Sequence, residues 1–221
     1  MLTIFATWHD YPGTPDALVI KGGTIIEGTG AEPILNGVVV IQGNRILAVG
    51  QNFSIPSEAQ VINADGGTII PGMINAHVHH TTPAEKRYLF LKEGVTSVCD
   101  LGSSLSEIPK FEQDRINLGL VARGFKTGPI ITASGGYPDG LYGTAINYEV
   151  TTPQVVQASV LDFDKRGVDI IKIALDPGWD TQKPLPLLDL VTIQAIVQEA
   201  HAKDLLVRVH LIQSPQLDLA I

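Results

Sequence analysis

Cysteine is almost missing from this chain: Cys99 is the only one in 221 residues, so no disulfide can form within it. Clusters of basic residues are missing too. Fifteen Lys and Arg stand against 23 Asp and Glu, a formal net charge of −8. That balance argues against nucleic acid or an anionic membrane as a partner. No apolar run reaches the roughly 18 residues of a membrane-crossing helix. The opening, MLTIFATWHDYPGTPD, lacks the basic start and long apolar centre of a signal peptide. A soluble cytoplasmic protein is therefore the expectation.

What is present begins with glycine-punctuated strands. Residues 1–16 read as an arm, because Pro12, Gly13 and Pro15 break any regular element. LVIKGGTII (18–26), GVVVIQGNRILAVG (37–50) and AQVINADGGTIIPG (59–72) read as strands. Gly43-Asn44 makes a hairpin turn. Residues 17–70 are thus expected to form a small antiparallel β layer, an incomplete sandwich.

The pattern changes after Pro71-Gly72. Strands are expected at 74–78, 95–102, 128–134, 168–175 and 205–211, with helices at 83–94, 106–120, 152–167, 185–204 and from 214 onward. Alternating strands and helices imply a parallel sheet covered by helices. An open doubly wound sheet and a (β/α)8 TIM-type barrel both fit. The first strand–helix turn has no G-x-G-x-x-G, which weakens a dinucleotide-binding reading. Histidines at two strand C-termini favour the barrel, whose sites sit at that face.

Three of the six histidines fall in INAHVHH (74–80). Side chains alternate along a strand, so His77 and His79 point the same way, about 7 Å apart. Such a pair can grip one cation. Without a partner, two imidazoles in a dry core cost about 1–3 kcal/mol each. His80 is expected to point away or to lie beyond the strand. Lys172, in IIKIA, would be an expensive buried cation unless neutralised, paired or modified. His210 lies near the end of VRVHL, with Arg208 on the same face and no assigned role. The loop GGYPDGLYG (135–143) offers Tyr137 and Tyr142 as pocket residues, or is an ordinary surface loop.

These residues resemble the amidohydrolase superfamily, in particular its imidazolonepropionase-like and prolidase-like members. LVIKGGTIIEGTG, NRILAVG and IIPGMINAHVHH resemble the opening β layer and first barrel strand; GVTSVCDLG, VDIIKIA and VRVHL resemble the second, fourth and fifth strands. The resemblance implies a (β/α)8 barrel, here represented by about its first five units over residues 71–221. It implies one or two divalent metals, often zinc. His77 and His79 would bind the more buried ion and His210 the second. Lys172 would carry a CO2-derived carbamate bridging the two. A metal-bridging hydroxide would hydrolyse a C–N bond in a cyclic amide or peptide-like small molecule. Asn75 stands where many relatives have Asp.

The resemblance also implies a metal-binding histidine on a sixth strand and a proton-shuttling aspartate on an eighth, and no segment of this sequence matches either. The expectation is a truncated, inactive portion that associates with its missing C-terminal half or forms a homo-oligomer. Two alternatives stand beside it: a non-catalytic assembly protein, and a mononuclear deaminase of the same superfamily.

Overall fold

The computed structural model describes residues 17–118, 120–139, 146–212 and 214–220. The proposed arm, residues 1–16, and Tyr142 lie outside them. The chain divides into two compact units, one ending at Pro71 and the other starting at Gly72.

The first unit holds β1 (Ala17–Ile25), β2 (Ile34–Gln42), β3 (Arg45–Gly50), β4 (Gln60–Asn63) and β5 (Thr68–Ile69). Strands β1, β2 and β3 pair antiparallel, with Gly43 at φ +56° in the turn between β2 and β3. Strands β4 and β5 both run parallel to β1. The layer is therefore mixed, not antiparallel as expected. The chain from β3 crosses back to the far edge of β1 before pairing, and a crossover delivers a parallel strand. Val19, Val38 and Val40 form the buried centre, with Leu47, Phe53 and Ile55 packed on them.

The second unit contains β6 (Met73–Val78), α1 (Ala84–Lys92), β7 (Val95–Asp100), α2 (Ile108–Leu118), β8 (Arg123–Lys126) and β9 (Ile130–Ala133). It continues with β10 (Asn147–Val150), α3 (Pro153–Arg166), β11 (Ile170–Ala174), α4 (Leu190–His201), β12 (Leu206–His210) and α5 (Ser214–Ala220). All its strand pairings are parallel, in two sheets ordered β6-β7-β8 and β10-β9-β11-β12.

The expected third strand, 128–134, forms as β9, and an unanticipated strand, β8, precedes it. Residues 123–126 pair with β7, and residues 130–133 pair with β11. Between them Gly128 takes φ +66°, and Pro129 has no N–H for a ladder. Asp169 rejoins the two sheets: its N–H donates to the Lys126 carbonyl at 2.8 Å, and its carboxylate accepts from the Lys126 N–H at 3.0 Å and Nζ at 2.8 Å. Strand β10 was not anticipated, because Asn147, Tyr148 and Glu149 carry no apolar alternation.

Helix ends follow their capping residues. Thr152 accepts from the Val155 N–H ahead of Pro153, and Gly167 closes α3 at φ +82°. Helix α4 starts at Leu190, not at 185, because the Asp189 carboxylate accepts from the Thr192 N–H at 2.7 Å and prolines precede it at 184 and 186. The main core lies between the second sheet and these two helices. Ile131, Ile171 and Ile173 meet Val156, Val160 and Phe163 of α3, and Ile193 and Ile196 of α4.

Arg87 of α1 is wholly buried. Its guanidinium pairs with Asp114 at 2.7 Å, donates to the Phe111 and Thr82 carbonyls, and lies 5.0 Å from the Phe111 ring centroid. Burial pulls its pKa down and Asp114 holds it up. This ties α1 to α2 beneath the first sheet.

Candidate active site

Both sheets present their strand C-termini to one cavity of about 400 Å³. Its walls include His77, His79, His80, Tyr137, Lys172 and His210. His77, on β6, and His79, one residue past its end, both line it, with ring centroids 5.3 Å apart and planes at 65°. Both rings are solvent-exposed, so the dry-core cost expected from the sequence does not apply to them. The reason is position: β6 pairs only with β7 among the described residues, and Ile74 on it is 70% exposed.

His80 lies beyond β6, as expected, and also lines the cavity. Its φ of +58° turns the chain just past β6, leaving its ring 6.4 Å from that of His79. Desolvation lowers the pKa of His77, with Lys172 adding to the effect. Desolvation also lowers that of His79, against an opposing pull from Asp100. The neutral imidazole is the form that binds a cation.

Lys172 sits at the middle of β11, 3% exposed between the fully buried Ile171 and Ile173. Burial, then the charge of Arg208, lowers its amine to about 8. No carboxylate pairs with it among the described residues. A buried, unpaired cation is costly.

His210 ends β12. Its Nε2 lies 2.9 Å from Oδ2 of Asp176, which is itself buried. A carboxylate only accepts, so Nε2 carries the proton and Nδ1 is left with its lone pair. Tyr137 stacks on the His210 ring at 4.3 Å with planes 6° apart. Arg208, two residues earlier, sends Nη1 2.6 Å from the Ala76 carbonyl of β6.

Two buried aspartates at strand ends were missed in the sequence. Asp176 closes ALD after β11. Asp100 closes VCD at the end of β7, where its Oδ2 accepts from the Thr81 N–H and hydroxyl at 2.7 Å each. Its Oδ1 is buried without a partner among the described residues. An acid directly after an apolar strand was the available signal, since strand C-termini are where parallel α/β folds place function.

Among the described residues, no three His, Cys, Asp or Glu side chains come close enough to hold an ion. The donor set fits a cation only if Lys172 joins it, and a free ammonium is no ligand. Addition of CO2 would convert the amine into an anionic oxygen donor and remove the unpaired positive charge.

No protein-family profile matches the chain. A 5-methylthioadenosine/S-adenosylhomocysteine deaminase from Symbiobacterium thermophilum is 29% identical over 147 residues, 49% of this chain and 34% of its own length. An adenine deaminase from Listeria monocytogenes is 40% identical over 85 residues, 37% of this chain and 14% of its own. Among solved structures, a prolidase complexed with N-methylphosphonate-L-proline superimposes at a TM-score of 0.72 with 25% identity, covering 92% of this chain and 58% of that one. The chain resembles the amidohydrolase superfamily in sequence and in fold. An amidohydrolase with TM-score 0.76, at 22% identity over 92% of this chain and 58% of that one, supports the amidohydrolase fold alone. The chain spans about a third or less of the curated relatives named here and a little over half of these solved chains. None of its described helices is long and apolar enough to cross a membrane.

Proposed function

We propose that this chain is the N-terminal part of a metal-dependent amidohydrolase. It would act on a C–N bond in a cyclic amide or peptide-like small molecule, on a (β/α)8 barrel of which residues 71–221 supply about five units. The observation that carries this reading is Lys172, buried without an acid and facing the same cavity as His77, His79 and His210.

His77 and His79 would hold one divalent ion, most suitably zinc, and His210 a second through Nδ1. Lys172, carboxylated on Nζ, would bridge them. Such ions supply Lewis acidity and a lowered pKa for water. This chain's residues do the rest. Asp176 fixes the tautomer and angle of His210. Tyr137 stacks on the face of that ring and would contact substrate in the cavity it lines. On this reading catalysis would take a further ligand and a proton-transfer carboxylate from outside residues 71–221, and the chain by itself would turn over poorly.

The unpaired edges of β6 and β12 are where that remainder would join, from a further segment, a second polypeptide or a second copy. Exposed Ile74 and Leu206 on those edges support this. A cytoplasmic setting belongs to the same proposal.

Metal titration tests the core of it. The chain should bind zinc in bicarbonate buffer, and Lys172→Ala should remove at least one equivalent. Zinc binding that ignores Lys172 would refute the bridging role. The curated relatives favour a second reading, a deaminase, since those named above are deaminases. Ammonia release from an adenine-containing nucleoside, against cleavage of an Xaa-Pro dipeptide, separates the two when the complete protein is assayed.

A further inference from the structure

We infer that Arg208 is a positioning residue, a clamp that fixes the His77–His79 strand against the strand bearing His210; this rests on the metal-centre reading above. Three observations support it. First, β6 is the outer strand of one sheet and β12 the outer strand of the other, so no ladder joins them. Second, the Arg208 guanidinium reaches from β12 to β6, with Nη1 2.6 Å from the carbonyl oxygen of Ala76. That carbonyl belongs to the peptide leading into His77, so the bond sets the plane from which the first imidazole projects. Third, Arg208 pairs in register with Lys172, on the face that carries His210 two residues on.

Two cations side by side are unfavourable, and Arg208 meets no carboxylate among the described residues. An arginine that served only to solvate its own charge has no reason to turn inward beside a buried lysine. Its planar fork suits a directed bond to one carbonyl better than a lysine amine does. The clamp therefore links three candidate ligands, His77 and His79 on one side and His210 on the other, across a seam that the backbone leaves unpaired.

The test compares the full 221-residue chain with Arg208→Met and Arg208→Lys. Far-ultraviolet circular dichroism should match in all three. Without metal, amides of residues 76–79 in Arg208→Met should exchange about fivefold faster or more, while those of β11 stay unchanged. Equal exchange at 76–79 overturns the clamp, and so does a uniform rise across both sheets. With cobalt(II) as the probe, Arg208→Met should bind about 10–100-fold more weakly, with a shifted visible band, and Arg208→Lys should lie between. Wild-type affinity and spectrum in Arg208→Met overturn the positioning role. If the unmodified chain binds no cobalt or zinc, the metal-centre reading fails, and exchange at 76–79 decides the clamp by itself.

Discussion

His210 Nε2 and Asp176 Oδ2 stand 2.9 Å apart, so a buried carboxylate at the end of one strand dictates which nitrogen its neighbour offers to the cavity. Replacing Asp176 with Asn keeps the shape and removes the charge. Zinc affinity should fall about 10–100-fold, read by calorimetric titration. Unchanged affinity would mean that His210 is not oriented by this contact.

Lys172→Met should stabilise the metal-free chain. The amine is buried without a counter-charge, and a thioether of similar length fills the same volume. The gain should be about 1–3 kcal/mol by denaturant unfolding. A loss of stability would show that the amine has a favourable partner. Gaining stability while losing metal is the trade expected of a functional buried cation.

Arg87→Ala should cost about 3–5 kcal/mol, because it leaves the Asp114 carboxylate and two carbonyls without their donor. Arg87→Met should cost less, since it refills the volume against Phe111. Chemical denaturation of both variants checks the order.

Gly124 on β8 lies under Phe111 of α2, and a Cβ there would collide with the ring. Gly124→Ala should cost about 1–3 kcal/mol. Adding Phe111→Leu should recover part of it, and additive losses in the double variant would contradict this geometry.

Glu107 sets a pH-dependent contribution. Burial pushes its carboxyl up, but the Ser104 N–H and hydroxyl and the Thr82 hydroxyl outweigh that and hold it below its ordinary value. A depressed carboxyl stabilises the fold above its unfolded pKa and loses that contribution as pH falls through the folded one. Glu107→Gln should therefore melt lower than the parent at pH 7, by roughly 1 kcal/mol, and the two should converge near pH 3. A constant gap across that range would contradict it.

The sequence made the strand–helix alternation readable because buried strands are short apolar runs with a glycine soon after, as in VTSVCDLG and VDIIKIALDPG. Thr152 and Pro153 announce the start of α3 through the same backbone chemistry seen in the fold, whereas the Asp189 cap is hidden in LPLLDL, which reads as helix from 185. His77, His79, Lys172 and His210 could be singled out because each is a polar side chain on an apolar strand. Asp100 and Asp176 escaped notice because a single acid after a strand is also ordinary turn chemistry. Strand β8 escaped because RGFK has no apolar periodicity and draws its pairing from β7. Exposure of the histidine pair could not be read locally, since it depends on which strand lies at a sheet edge.

The ladders on the two sides of the cavity differ in regularity. β11 and β12 match rung for rung from Ile170 to His210, whereas β6 and β7 slip twice in six residues. The side bearing Lys172 and His210 is thus set by an unbroken ladder, while the strand leading to the paired imidazoles is not. The second slip spans Ala76, the residue whose carbonyl meets Arg208, so the irregular part of β6 and its tie to β12 fall at the same place in the chain.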